Sequence, residues 1–196
     1  MAEGSASTWD AASAIANCPT IPWTGLVWRY HATRYAGDDP AGSLLVSGRF
    51  NRGKDQFPEA ATWAALYTSL GPHVALGERL RHTTPATLSR LANQRQSRLR
   101  IELQSVLNLC APSGCAELNV LQLGLDELCR PADYAKTQEI ARVARKHVEA
   151  LLVPSCTQFP EGNLIIFADR LRMGSVVTVE DTVDPDLYID WENPFA

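Results

Sequence analysis

The run Ser97-Arg98-Leu99-Arg100-Ile101-Glu102-Leu103-Gln104 alternates strictly between polar and apolar side chains. Leu99, Ile101 and Leu103 share one face, and Arg98, Arg100 and Glu102 share the other. A period of two marks a strand with one face in a core and one in water. Coiled into a helix, the same run would scatter its charges around the whole cylinder. Whatever else the chain forms, it must build a sheet with a solvated side. Three further segments have the β-branched and aromatic content of strands: "GLVWRYH" (25–31), "AALYTS" (64–69) and "NLIIFA" (163–168). "SVVTVE" (175–180) is a fifth, joined to the preceding one by a turn containing Gly174.

Two helices are expected between the strands. "GPHVALGERLRH" (71–82) has Pro72 at the first helical position and Arg79, Arg81 and His82 in the last turn, where the helix dipole favours cations. The longest helix is predicted over 131–152, "PADYAKTQEIARVARKHVEALL". Tyr134, Ile140, Val143, Ala144, Val148 and Leu151 lie inward, Lys136, Glu139, Arg142, Arg145, Lys146 and Glu149 lie outward, and Pro154 stops it. Segments 36–43 and 48–58 carry Gly, Asp, Asn and Pro and read as loops. Residues 1–20 read as a flexible or short helical segment, followed by a single domain over 21–196. Strands before, between and after helices, without regular βα alternation, indicate an α+β fold.

Composition narrows the function. A length of 196 residues at 45% apolar content suits one ordinary domain. A net charge of −4 disfavours nucleic acid as the main partner. The first twenty residues lack the basic start and apolar run of a signal peptide, and no window reaches the length of a membrane span. A cytoplasmic protein without a membrane partner is expected. Cys18, Cys110, Cys115, Cys129 and Cys156 have no metal-site spacing, so reduced thiols and no metal are expected. The chain has no P-loop, GxGxxG, GxSxG or HExxH. Cys156 with His147 would make a nucleophile and base, but nothing in the sequence brings them together. His31, His73, His82 and His147 read as structural or exposed.

What remains is an ordered constellation. Arg29-Tyr30 closes the first strand; the loop Gly48-Arg49-Phe50-Asn51-Arg52-Gly53 follows; Leu66-Tyr67-Thr68-Ser69 leads into Ala75-Leu76-Gly77-Glu78; Val153-Pro154-Ser155 precedes Asn163-Leu164-Ile165. On the residues alone each has an ordinary reading: Arg29 as a surface ion-pair partner, Arg49 and Asn51 as turn residues, Tyr67 as core, Glu78 as a helix-face partner of Arg81 or His82, and Ser155 as a turn cap.

In order and spacing, from about Leu26 to Phe167, the constellation resembles the RES family, named for its arginine, glutamate and serine. Phe50 stands where that family commonly has tryptophan, the segment before Tyr67 is longer, and no arginine directly follows Pro154-Ser155. The resemblance implies an ADP-ribosyltransferase-like fold of two packed, mainly antiparallel sheets with flanking helices and an NAD cleft. It implies a toxin that consumes NAD as substrate, without a further cofactor, and is silenced by an Xre-like antitoxin; a homodimer is compatible with it. Arg29 and Arg49 would then meet the pyrophosphate. Tyr67 would face the nicotinamide, Tyr30 would pack along the ribose or another ring, and Asn51 and Ser155 would add polar contacts. Glu78 would stabilise the positive charge that develops on the ribose as nicotinamide leaves. The catalytic set so expected is Glu78, Arg29 and Tyr67. Hydrolysis or phosphorolysis of NAD is the leading expectation, because Leu76 occupies the position of the second acid that transferases often carry. A protein ADP-ribosyltransferase and a non-catalytic nucleotide-binding protein are the alternatives.

Overall fold

A computed structural model describes residues 11–16, 18–84, 87, 91, 93–110, 124, 128–129, 133–157 and 161–184. Along the chain run α1 (Ala11–Ala16), β1 (Thr20–Ala32), α2 (Gly42–Leu45), β2 (Leu66–Ser69), α3 (Pro72–Arg81), β3 (Gln94–Asn108), α4 (Ala135–Ala144), β4 (Ala150–Val153), β5 (Asn163–Ile166) and β6 (Val176–Val183). No helix among the described residues is long and apolar enough to cross a membrane.

The two long strands form the frame. β1 and β3 pair antiparallel from Thr20↔Leu107 to Ala32↔Gln94, with a register shift between Ile21 and Trp23. Pro22 falls at that shift, where its missing N–H leaves no ladder bond to lose. β3 uses its other edge twice: antiparallel to β6 over Gln96–Glu102, then parallel to β4 at Val106↔Ala150. β4 pairs with β5, β5 with β2, and β2 returns to β1 at Trp28↔Ser69.

The expected α+β architecture with mainly antiparallel pairing is present, but two separate sheets are not seen among the described residues. The six described strands belong to one hydrogen-bonded sheet that curls back on itself. Its halves still face one another, because Val27, Leu99, Ile101 and Leu103 of β1 and β3 pack on Leu66, Leu164 and Ile166 of β2 and β5. The period-two run of β3 supplies this interior as expected, with its charged face outside in ion pairs of Arg98 and Arg100 with Glu180. Leu151, Val153, Ile165 and Phe167 point the other way, onto Ile140, Ala141, Val143 and Ala144 of α4 and onto Phe50 and Trp63. β4 and β5 are therefore buried on both faces, which explains their unbroken apolar sequence.

The long helix predicted over 131–152 is overturned in its second half. α4 ends at Ala144, and Ala150–Val153 is strand β4 between β3 and β5; residues 131–132 lie outside the described set. Val148 and Leu151 fit the helical period, but two open strand edges outweigh it. Glu149, expected on a solvated helix face, is 0% exposed. Its Oε2 accepts the N–H groups of Gln104 (2.8 Å) and Ser105 (2.9 Å), and its Oε1 accepts Arg172 N–H (2.8 Å) and the Ser175 hydroxyl. The segment 163–180 also departs from a simple hairpin: Gly174 makes the turn with φ 91°, but β5 and β6 pair with different strands.

Candidate active site

Strand ends and loops converge on a cleft of about 740 Å³. β1 contributes Trp28, Arg29 and Tyr30; the loop before Phe50 contributes Val46, Ser47, Gly48 and Arg49; β2 contributes Tyr67, Thr68 and Ser69. Ala75, Glu78, Arg79, Arg81 and His82 come from α3 and its last turn, and Cys129, Tyr134 and Asn163 complete the wall. Helix α3 starts at Pro72, with no side-chain cap. It buries Val74 and Ala75, and that anchored face directs Glu78 into the cleft.

Glu78 is the best-connected group there. Its Oε1 accepts the Ser155 hydroxyl (2.7 Å), the Cys156 N–H (3.0 Å) and Asn163 Nδ2 (2.8 Å), and its Oε2 accepts Arg81 (3.1 Å). Burial opposes its ionisation. The three donors to Oε1, together with the Arg49 charge, outweigh burial and hold the carboxyl below its ordinary range.

Tyr67 lines the cleft with its ring, and its hydroxyl organises the loop beside it. That hydroxyl donates to Asn51 Oδ1 (2.9 Å) and accepts the Phe50 N–H (2.9 Å). Burial raises its pKa, so it stays a neutral phenol. Asn51 is 1% exposed and lies beneath the loop, not on the cleft wall. Its amide donates to the carbonyls of Ser43 and Val46 (2.9 Å to the latter). Gly48 must be glycine: an added Cβ would stand 2.6 Å from Asn51 Oδ1 and 2.9 Å from the Tyr67 hydroxyl. Ser155, expected at ribose or phosphate, instead gives its hydroxyl to Glu78.

Both expected arginines line the cleft, and both also brace the protein. Arg29 donates through one terminal nitrogen to the carbonyls of Gly37 (2.9 Å) and Asp39 (2.8 Å). Burial lowers its pKa to about 10, against the pull of Asp39 and Asp38. Arg49 donates to the carbonyls of Leu128 and Cys129, both at 3.2 Å, and contacts Cys156 Sγ at 2.8 Å. Cys156 meets this guanidinium and, through its thiol, the Cys129 carbonyl at 2.6 Å, not His147. The Cys129 hydrogen bond, with Arg49 and Arg81, draws the Cys156 pKa down against burial and Glu78. Tyr30 lines the cleft with its pKa raised by burial.

Several cleft residues had no role in the sequence reading. Arg81 was legible as an i, i+3 partner of Glu78. Asn163 had a place in the constellation but no contact that the sequence could reveal. Tyr134 was expected on the buried helix face, yet it precedes α4, is 36% exposed and lines the cleft.

The backbone is similar to a chain of the crystal structure of the M. tuberculosis MbcT–MbcA toxin–antitoxin complex. That chain is 18% identical, with a TM-score of 0.66, over 90% of this chain and 93% of that one. The likeness concerns the fold. No curated protein matches the sequence significantly. The family model described as the RES domain matches residues 26–192. Because that span takes in the second half of β1, the arginine-lined loop, Glu78, Ser155 and Asn163, the chain belongs to the RES domain family.

Proposed function

We propose that the chain cleaves the bond between nicotinamide and ribose in NAD. One observation carries the reading. Four guanidinium groups (Arg29, Arg49, Arg79 and Arg81) and the rings of Trp28, Tyr30, Tyr67 and Tyr134 surround Glu78, the one carboxylate among the described cleft-lining residues. Cationic walls suit a pyrophosphate, and aromatic faces suit the two flat rings of a dinucleotide. A single ionised carboxylate suits a sugar that becomes positive as its bond breaks.

The chemistry follows from charge. Nicotinamide in NAD is cationic; it takes the bonding electron pair and leaves neutral, so no general acid is required. The ribose left behind is an oxocarbenium-like cation, and Glu78 stabilises it through the 2′-hydroxyl or directly. Water then adds to the anomeric carbon and loses a proton, giving ADP-ribose; inorganic phosphate would add in the same way to give its 1-phosphate. The absence of a second acid among the described lining residues, with Leu76 two positions before Glu78, favours these acceptors over a protein side chain.

The biological role we infer is that of a toxin that lowers cellular NAD and is held silent by an antitoxin, which we take to be Xre-like. Family membership and the likeness to a chain from a toxin–antitoxin complex support it. Incubating the purified chain with NAD and separating the products tests the enzymatic reading. Free nicotinamide with ADP-ribose or its phosphate is expected. Nicotinamide with labelled protein would point to a transferase, and intact NAD would sink catalysis.

A further inference from the structure

Ser69 and Asn163 sit where four strands approach each other. The β2–β5 register pairs Ser69 with Asn163, the β4–β5 register pairs Val153 with Asn163, and the β1–β2 register pairs Trp28 with Ser69. They are 5% and 4% exposed. Polar side chains this deep must be paired. Ser69 Oγ donates to Asn163 Oδ1 at 2.7 Å, and Asn163 Nδ2 donates to Glu78 Oε1 at 2.8 Å.

The pairing has a direction. A carboxamide has one accepting end and one donating end. By donating to the oxygen end, the Ser69 hydroxyl turns the NH₂ end toward Glu78. Without that hydroxyl the amide is free to turn over and set its oxygen against the carboxylate. With Ser155 and the Cys156 N–H, Asn163 places three donors on Oε1, while Oε2 has Arg81.

We propose that Ser69 and Asn163 are positioning residues for Glu78: the cross-strand pair locks Oε1 to the protein and presents Oε2 to the substrate ribose. The proposal rests on the reading of Glu78 as the reacting carboxylate and extends it to two residues that act only through Glu78. Other charged or titratable groups also face this carboxylate: Arg49 from the loop, Arg81 from α3 and His82 just after it, and the thiols of Cys129 and Cys156. The effect of the pair must therefore be read at Glu78 itself.

Carbon-13 NMR of glutamate carboxyls in the full chain reads it directly, with Glu78→Gln assigning the resonance. In Asn163→Ala and Ser69→Ala the titration midpoint of Glu78 should rise, because a donor to its charged form is lost or misdirected. With NAD, kcat should fall about tenfold in Asn163→Ala and about threefold in Ser69→Ala, with KM within about twofold of the parent. The acid limb of kcat should move up in step, and Ser69→Thr, which keeps the hydroxyl, should restore both readouts. A midpoint unchanged in both folded variants overturns the pairing. A raised midpoint with unchanged kcat overturns the positioning role, and Glu78→Gln then decides the part of Glu78 itself. Should Asn163→Ala unfold, Ser69→Ala decides, since it removes a single oxygen. Should the parent release no nicotinamide, the NAD reading fails separately, and the midpoint still decides whether the pair holds Glu78.

Discussion

The Ser155 hydroxyl donates to Glu78 Oε1 at 2.7 Å across 77 residues of chain. That contact ties the end of β4 to the middle of α3. It makes the carboxylate part of the frame as well as the proposed chemistry.

Glu78→Gln should therefore lower nicotinamide release by about two orders of magnitude or more, as expected when an electrostatic contact to a transition state is lost. Parent-like turnover would end its assignment. The pH dependence has a definite sign. The folded carboxyl titrates below its ordinary value of 4.5, so its contribution to stability is complete above that value and is lost as pH falls through the folded pKa. In Glu78→Gln, acid unfolding monitored by circular dichroism should be less steep in that window.

Arg29 and Arg49 each combine a proposed substrate contact with a structural one. If both meet the pyrophosphate, Arg29→Ala and Arg49→Ala each weaken NAD binding by calorimetry, and unchanged affinity in both would put the phosphates elsewhere. Arg29 also holds the Gly37 and Asp39 carbonyls through its hydrogen bonds. Arg29→Ala leaves two carbonyls unpaired and should cost about 2–4 kcal/mol in denaturant unfolding.

Cysteine chemistry is not required by the proposed mechanism. Cys156→Ser should retain NAD cleavage within about tenfold of the parent, although its N–H touches Glu78 and its sulfur meets Arg49. Of the described thiols, Cys156 should ionise first, because its hydrogen bond with Cys129 and the Arg49 and Arg81 charges lower its pKa, seen as thiolate absorbance that disappears in the variant. A folded Cys156→Ser chain without activity would revive a nucleophilic sulfur.

Glu149 should matter for folding and not for turnover. Glu149→Gln sets an NH₂ group against donors from β3 and from the turn before β6. A loss of about 2–4 kcal/mol in urea unfolding is expected for a disrupted buried charged network. The folded fraction should cleave NAD at the parent rate; a selective loss of kcat would place Glu149 in the mechanism.

Expression in a bacterium tests the biological role. The parent chain alone should stop growth in step with falling NAD, and Glu78→Gln should not. Toxicity at normal NAD would favour a transferase with one critical target. Harmless, soluble parent protein would favour the non-catalytic alternative.

Local pattern determined a large part of this molecule. The alternation of Leu99, Ile101 and Leu103 identified β3 because a strand needs only its own period to choose a face. Pro72 and the basic residues at 79–82 bounded α3 for equally local reasons. Arg29, Arg49, Tyr67 and Glu78, placed at one site by the family resemblance, all line the cleft.

Tertiary structure decided what local pattern could not. Ala150–Val153 follows a helical period, yet it became β4 because β3 and β5 offered edges on both sides. Asn51 was placed beneath the loop because the Tyr67 hydroxyl and two backbone carbonyls needed partners there. Ser155 and Asn163 turned toward Glu78 because a partly buried carboxylate collects donors from whichever strands end beside it. Such pairings span 77 and 85 residues of chain. They are set by which edges meet in space, and a one-dimensional period carries no record of that.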